Sequence, residues 1–326
     1  MALGMNQNIA QLESAGNVEN ALREDLVLCD ALIGTITPIL RHLLANDEHS
    51  VFSDEVVARV RGMMGHIAQQ LLTELAVAAG EDEPPNHDAD RIAAVVDSLV
   101  GHSGFLIHIH ALALEWQLTQ RLQARCALDP VLSPLLQALI ASSDAAMASS
   151  AMSVLASQAR FATSQRRMQL PLGELPADLL HAALLVLRSL ADDNVAAQAA
   201  VQQAEHTIRG RFDESRSRLG LIMRIVLGMG GGATAALAVT HAGASIFLSA
   251  LALASGQDRD MAILSTNEGQ LARLALALRA SGLKTQAIEE QFISLHPDVA
   301  LPEGFEQLGS DQAAALLARS NSFPGG

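Results

Sequence analysis

The sequence predicts an all-α protein, and three of its features support that expectation. Half of the 326 residues are apolar, and most of this apolar content is Ala and Leu, which are strong helix formers. Aromatic residues make up only 3% of the chain, whereas β-strands are normally rich in aromatic and β-branched residues. The apolar residues also recur every three or four positions, which is the period of an amphipathic helix.

The first 80 residues are predicted to form an N-terminal helical segment. A polar lead at residues 1–16, expected to be frayed, precedes a helix at residues 20–44, which Pro38 should kink or end. A second helix is predicted from an N-cap at Ser53 to about residue 79, where Gly80 stops it. Residues 81–90 are acidic and contain Pro84 and Pro85, so we expect a linker there.

Residues 91–300 are predicted to form one domain of stacked antiparallel helix pairs. Helix breakers recur about every 15 to 40 residues, at 101–104, Pro130, Pro134 and 171–176. Helix pairs of this size cannot bury an apolar face alone, so a HEAT-like, α-solenoid-like stack is expected. Residues 301–326 are predicted to be a C-terminal tail with one helix near 311–319.

The longest uncharged stretch, residues 225–257, has two possible structures. It exceeds the roughly 20 residues that span a bilayer. Glycines at 228 and 230–232 interrupt it, however, and His241, Gly243 and Ser245 suggest a joint between helices. We therefore favour two short helices buried on all sides and expect no membrane contact. A membrane-associated helical protein stays the alternative.

The same stretch contains a glycine pattern that resembles a nucleotide site. Gly228, Gly230 and Ala233 fit the dinucleotide fingerprint G-x-G-x-x-G/A, in which glycines let a pyrophosphate approach a helix N-terminus. The fingerprint also needs a preceding strand and an acidic residue about 20 positions later, but the next acid is Asp258. We favour a glycine-rich helix joint and expect no cofactor. A nucleotide- or cofactor-binding loop at 228–233 is the alternative.

Other clusters of chemically active residues predict no catalytic or metal site. His108 and His110 would lie about 200° apart on a helix, and His102 lacks the i, i+4 spacing of zinc proteases. The charged run at 209–216 is predicted to be a solvated helix face with ordinary ion pairs, formed by Arg209, Arg211, Asp213, Glu214 and Arg216.

Charge and cysteine content indicate the class of partner and the compartment. The formal net charge is −14 and the basic clusters are short, as at Arg166 and Arg167, so we expect no nucleic-acid binding. Cys29 and Cys126 lie within helical apolar patterns and are predicted to be buried free thiols in a reducing, cytoplasmic compartment. Residues 1–22 lack the pattern of a signal peptide.

Three segments carry a family resemblance: LPLGELPADLLHAALLVLRSL, FDESRSRLGLIMRIV and THAGASIFLSALALASGQDRD. With the motifs Leu175 and Pro176, residues 241–243 before Phe247, and LRASGL at 278–283, this part of the chain resembles bacterial proteins of the domain of unknown function 2336 family. The resemblance covers residues 129–297. It implies HEAT-type helical repeats and offers no catalytic residue to carry over. The glycines at 228–232 and the N-terminal third depart from it.

Together these observations predict a non-enzymatic protein–protein interaction protein or signalling scaffold. Stacked helix pairs present extended surfaces to partners, and no catalytic constellation stands out. A homodimer formed through the N-terminal helices at 20–44 and 53–79 is a further expectation.

Overall fold

A computed structural model describes residues 2–45, 54–81, 88–191 and 195–320, with side chains from residue 16 onwards. The prediction of an all-α fold is confirmed, because the described residues form helices and connecting turns and no strand. The α-helices are α1 Ala2–Ala45, α2 Asp54–Ala78, α3 Ala89–Val100, α4 Ser103–Cys126, α5 Pro134–Ile140, α6 Ala145–Arg166, α7 Ala177–Ser189, α8 Val195–Arg211, α9 Arg218–Gly228, α10 Val239–Ser255, α11 Arg259–Leu264, α12 Leu271–Ala280, α13 Thr285–Leu295 and α14 Ser310–Ser320.

Contacts between the described residues divide the chain into two compact units. Unit 1 is drawn from Met1–Ile36, Leu114–Ala151 and Ile222–Gly326, and unit 2 from Thr37–Ala113 and Met152–Leu221. Each unit thus combines segments that are distant in sequence. The linear division into residues 1–80, 81–90, 91–300 and 301–326 stays a prediction.

Helix α2 is the central helix of unit 2 and packs against α3, α7 and α8. Its apolar residues recur at three- and four-residue spacing and form one buried face that includes Met63, Ile67 and Leu71. Asp54 and Glu55 lie in the first turn, where negative charge complements the helix dipole. Because the apolar face of α2 is already covered within unit 2, this helix offers little apolar surface to a dimer partner.

Helix α10 has the corresponding central position in unit 1 and packs against α5, α11, α12 and α13. Its small residues let neighbouring helices approach closely, and Ile246, Phe247 and Leu248 are almost completely buried. The joint predicted at 241–245 is confirmed at Gly243, where a non-helical residue interrupts the helix. The most apolar stretch of the chain therefore supplies the core of this unit.

Several local predictions can be compared with the helix ends. Gly80 and Gly282 have positive φ values of 86° and 83°, and each is the second residue after the end of its helix, α2 or α12, as expected of helix stops. The expected frayed lead is wrong from Ala2 onwards, because α1 begins there. The expected break between residues 100 and 104 is confirmed between α3 and α4. The Ser53 cap and linker residues 82–87 lie outside the described residues.

Two further expectations about α1 and α4 need correction. The helix end proposed at Pro38 is wrong, because α1 continues through it to Ala45. Proline removes the hydrogen bond to the carbonyl four residues earlier, and here that residue is Gly34, which is exposed and so leaves its carbonyl open to water. Cys29 is buried as predicted, but Cys126 is exposed because it is the last residue of α4.

Gly243 is expected to tolerate no side chain. Its φ of 75° and ψ of 160° belong to a region that only glycine adopts readily, and an added Cβ would lie 3.0 Å from Cβ of Ser133. We expect Gly243→Ala to lower the free energy of unfolding by about 2 kcal/mol, measured by urea denaturation. Gly231→Ala is the matched control, since an added Cβ there meets no atom within 4 Å. Equal effects of the two changes would contradict this explanation.

Candidate interaction surface

The glycines of the nucleotide-like pattern lie at a joint between helices. Gly228 is the last residue of α9, while Gly230 and Ala233 belong to a 3₁₀ helix, Gly230–Leu237, that turns by 119° from α9. A dinucleotide fingerprint follows a β-strand, whereas here a helix precedes the glycines. Added Cβ atoms at Gly230, Gly231 and Gly232 would meet no atom within 4 Å. This geometry favours the interpretation as a glycine-rich joint.

The histidines and the charged run remain separate groups in the structure. His108 and His110 are both buried in α4, whereas His102 is exposed just before it. Among the described residues, no group of three His, Cys, Asp or Glu side chains is placed to hold a metal ion. Arg209 pairs with Glu205 of its own helix, and Arg211 pairs with Glu74 of α2. Arg209 and Arg211 thus form ion pairs, and Asp213 accepts a hydrogen bond from the backbone N–H of Ser215 at 3.1 Å.

The outer face of α1 carries an exposed apolar patch. Leu28 is 63% exposed and Leu32 is 50% exposed, and Val27 beside them is 63% exposed. Leu28 and Leu32 belong to a series with alternating four- and three-residue spacing, which places its members on one side of a helix. We call this series the α1 seam, and all its members are exposed: Ala21, Asp25, Leu28, Leu32 and Thr35.

The opposite face of α1 is packed into unit 1. Leu22, Leu26 and Ile33 are buried there, as is Cys29, whose thiol donates to the backbone oxygen of Gly269 at 3.5 Å. These residues repeat at three- and four-residue spacing. Helix α1 therefore uses one face for the core of unit 1 and presents the other to solvent.

A polar cluster under α1 fixes the position of this helix. Arg273 of α12 is completely buried and forms an ion pair with Asp30 of α1. Ser320 of α14 donates to Asp30 at 2.7 Å and accepts from Arg273 at 2.7 Å. Gln270 donates its side-chain amide to the carbonyl oxygen of Cys29 at 2.8 Å. Three helices are thus tied together by charge-assisted hydrogen bonds, which are the strong ones in proteins.

Burial shifts the pKa values of two groups in this cluster, the Cys29 thiol and the Arg273 guanidinium. It raises the pKa of the Cys29 thiol and lowers the pKa of the Arg273 guanidinium, against which the charge of Asp30 acts. A thiol with a raised pKa carries little thiolate and is a poor nucleophile. The cluster is therefore suited to holding α1 in place, and it gives Cys29 no chemical activation.

Sequence reasoning did not identify this cluster. Arg273 interrupts the apolar helix LARLALALRA, and an arginine in such a position needs a buried partner. That pattern was a usable signal for Arg273 itself. Its partner Asp30 lies 243 residues earlier, however, and no local spacing connects the two.

A few of the described helices combine length with strong apolar character. One of them, Gly16–Leu44 within α1, is long and apolar enough to cross a membrane, with a mean hydropathy of 1.5 over its best window. Two pairs of consecutive helices joined by a sharp bend are also long and apolar enough if each pair is counted as one span. These pairs are α3 with α4, and α9 with the following 3₁₀ helix. The exposed apolar character of α1 is thus compatible with a protein or a lipid surface.

Comparison with protein-family models, curated proteins and solved structures finds no match for this chain. The resemblance of residues 129–297 to the domain of unknown function 2336 family therefore stays a prediction.

Proposed function

We propose that this chain is a non-enzymatic interaction protein that self-associates through the α1 seam. The observation that supports the proposal is the exposure of Leu28 and Leu32 on one face of a helix whose other face is packed. Exposed large apolar side chains that cluster on one element are typical of interaction sites. If the remaining helices stack as HEAT-like pairs, as we propose, they would provide surfaces for further partners, as in a scaffold.

A second copy of the chain is the occupant that the seam fits best. The spacing of its residues is the heptad spacing with which two helices interlock. In a parallel pair, Asp25 would face Asp25 of the second copy, and two like charges would repel. In an antiparallel pair with Leu28 opposite Leu32, Asp25 would face Thr35 instead. The charge pattern therefore favours an antiparallel, two-fold symmetric pairing.

The size of the seam determines the expected affinity. It covers two heptads, which is a smaller surface than a standard stable interface. We therefore expect a dimer with a dissociation constant in the micromolar range, on the order of ten micromolar. Such a dimer forms at high local concentration, which suits a signalling scaffold that assembles on demand.

The double variant Leu28→Glu/Leu32→Glu tests the seam by sedimentation velocity between about 1 and 200 µM. We expect a monomer–dimer equilibrium for the wild type and at least a tenfold weaker association for the variant, because four carboxylates would meet in the interface. Leu227→Glu is the matched control, since Leu227 is 61% exposed on α9. A wild type that stays monomeric throughout, or a control that weakens association equally, would contradict the proposal.

Thr35→Lys distinguishes the two orientations of the pair. In the antiparallel dimer the new ammonium would lie opposite Asp25 of the second copy, so two attractive pairs would form and association would tighten several-fold. In a parallel dimer the two lysines would face each other and weaken association. A weaker dimer would therefore overturn the antiparallel arrangement and leave the seam itself in place.

Membrane binding through α1 is the alternative to self-association. Two observations argue against it: Asp30 of α1 is tied to the buried Arg273, and Asp25 lies on the exposed face. Burying such charges in lipid is costly. Flotation of the wild type with anionic phospholipid vesicles, together with loss of flotation in the Leu28→Glu/Leu32→Glu variant, would replace the dimer proposal with a membrane one.

A further inference from the structure

Unit 2 contains a cavity of about 380 Å³ that the proposed self-association does not use, and we call it the α2 cavity. One wall is formed by successive turns of α2, with His66, Gln70 and Glu74 at four-residue spacing on one face. The other wall is formed by Leu180 of α7 and by the end of α8 with Phe212 after it. The volume lies within the range of small-molecule sites, which are about 300–1,000 Å³.

An ion pair lies at one end of the α2 cavity. Nη1 of Arg211 donates to Oε1 of Glu74 at 2.7 Å, and this contact engages one nitrogen of the guanidinium and one oxygen of the carboxylate. A carboxylate has about four lone-pair sites, and a guanidinium has five N–H donors. Oε2 of Glu74 and the remaining nitrogens of Arg211 are therefore available to a ligand.

The charges of this pair cancel, and this determines which ligand charge the pair can accept. A simple anion near Arg211 would be repelled by Glu74, and a simple cation near Glu74 would be repelled by Arg211. A head group that carries both charges side by side avoids this repulsion, because its ammonium donates to Glu74 while its carboxylate accepts from Arg211. The ion pair therefore favours a zwitterion, and the head of an α-amino acid has this arrangement.

The middle of the α2 cavity is apolar. Leu172, Leu180 and Ile208 line it together with Phe212. The first three of these side chains are buried, so packing with the rest of unit 2 holds them in place. An apolar or aromatic body that covers these side chains would remove apolar surface from water. The ligand is therefore expected to combine its charged head with a bulky apolar part.

His66 lies at the other end of the cavity, and its ring is held in one orientation. Its Nδ1 atom lies 2.9 Å from the carbonyl oxygen of Leu170. Gln70 uses its two amide hydrogens for the carbonyl oxygens of His66 and Leu170, both at 3.0 Å, so the hydrogen between Nδ1 and Leu170 belongs to the imidazole. Nε2 of the neutral ring is then an acceptor, and it accepts no hydrogen bond from the described residues. A ligand that reaches Nε2 needs an O–H or N–H donor.

The separation of the two ends determines the length of the ligand. Eight positions of α2 separate His66 from Glu74, which is a rise of about 12 Å along the helix. A hydrogen bond of about 3 Å at each end leaves roughly 6 Å for the ligand between them. A benzene ring that one carbon atom joins to an amino-acid head has about this length.

From these observations we propose that the α2 cavity binds an aromatic α-amino acid with a ring hydroxyl, of which free tyrosine is the simplest. Its ammonium donates to Glu74, its carboxylate accepts from Arg211, and its hydroxyl donates to Nε2 of His66. Its ring packs against Leu180 and Phe212. Apolar walls with a few placed polar groups are the usual design of such sites.

Isothermal titration calorimetry with the full chain tests the proposal. We expect L-tyrosine to bind with a dissociation constant on the order of 100 µM. Each of its relatives lacks a single group: tyramine lacks the carboxylate, para-hydroxyphenylpropionate lacks the ammonium, and L-phenylalanine lacks the hydroxyl. We expect each relative to bind at least about tenfold more weakly, because it leaves a polar group of the site unpaired. No binding of L-tyrosine at about 1 mM, or equally tight binding of any relative, would overturn the proposal.

Glu74→Gln and Arg211→Gln test the two charges separately. Each should weaken the binding of L-tyrosine at least about tenfold. Glu74→Gln should not weaken para-hydroxyphenylpropionate, which has no ammonium, and Arg211→Gln should not weaken tyramine, which has no carboxylate. Glu19→Gln is the matched control, since Glu19 pairs with Arg23 on the exposed side of α1, and it should leave all binding unchanged. Unchanged binding of L-tyrosine in either variant, or equal weakening of every ligand, would overturn the proposal.

His66→Phe tests the contact with the ring hydroxyl. It should reduce the preference for L-tyrosine over L-phenylalanine to about twofold or less, while L-phenylalanine binds as before. An undiminished preference would overturn the assignment of His66. Circular dichroism establishes whether this variant folds; if it does not, the ligand series and the variants of Glu74 and Arg211 decide the matter.

Discussion

Replacing Glu115 with alanine is expected to lower the free energy of unfolding by about 3–5 kcal/mol, the largest effect of any substitution considered. The Glu115 carboxylate on α4 is fully buried in unit 1. It accepts a hydrogen bond from Ser245 at 2.6 Å and lies 3.0 Å from Nη2 of Arg259. Arg259 in turn donates from Nε to Ser249 at 2.9 Å. One carboxylate thus joins α4 to α10 and α11.

The loss of stability is expected to be large because the substitution removes the carboxylate that pairs with the nearly buried Arg259. Without Glu115, the side chain of Arg259, only 12% exposed, would lose its carboxylate partner in a region of low dielectric constant. Exchanging both members of a buried pair for apolar residues is often neutral. We therefore expect Glu115→Met/Arg259→Met to recover most of the stability that either single change removes.

Urea denaturation followed by circular dichroism measures these differences. Glu19→Ala is the matched control, because Glu19 pairs with Arg23 in an exposed i, i+4 ion pair of α1. Pairs of that kind contribute only about 0.3–0.5 kcal/mol. If Glu115→Ala lowered the free energy of unfolding as little as Glu19→Ala does, the buried pair would contribute no more than an exposed one.

Lowering the pH from about 7 to 4 is expected to destabilise the protein by roughly 3 kcal/mol through His110 alone. Burial lowers the pKa of His110 to about 4, from an ordinary value of 6.5. In the unfolded chain this imidazole takes up a proton below about pH 6.5, whereas in the folded chain it stays neutral down to about pH 4. The unfolded state therefore binds more protons between these values, and stability falls as the pH is lowered through this window.

The comparison of variants isolates this contribution. Burial also lowers the pKa of His296, so the wild type should lose stability from both groups. We expect the free energy of unfolding of His110→Leu to fall less between pH 7 and 4.5, by about 2–3 kcal/mol, than that of the wild type. His206→Gln serves as the control, because His206 is exposed on α8. An unchanged pH dependence in His110→Leu would refute the assignment.

Local sequence signals predicted the helices more reliably than the contacts between them. Gly80 and Gly243 were predicted correctly because a helix stop or a break in periodicity is a property of a few consecutive residues. The helix end considered possible at Pro38 is wrong because a helix packed on one face can tolerate a missing hydrogen bond on its exposed side. The burial predicted for Cys126 is wrong because periodicity does not show at which residue a helix loses its contacts with neighbouring helices.

The exposed α1 seam could not be predicted from the sequence because its exposure depends on tertiary structure. Periodicity identified the apolar residues of α1, yet it could not show which of them the rest of the chain covers. Leu26 and Leu28 are both leucines of one helix, and only the fold makes the first buried and the second exposed. Likewise, Arg218 donates a hydrogen bond to Gln158 of α6, which lies 60 positions earlier in the chain. Such pairings follow from the global packing, which local patterns do not contain.

The order in which unit 1 is assembled follows from the hydrogen bond between Asp30 and Ser320, which are 290 positions apart. During synthesis, all residues of unit 2 have been made once Leu221 is added, whereas α14 emerges roughly 100 residues later. At about 5–20 residues per second, this interval lasts roughly 5–20 s. Throughout it, Asp30 of α1 lacks the hydrogen bond from Ser320. Helix α1 therefore completes its contacts within unit 1 only after α14 has been made.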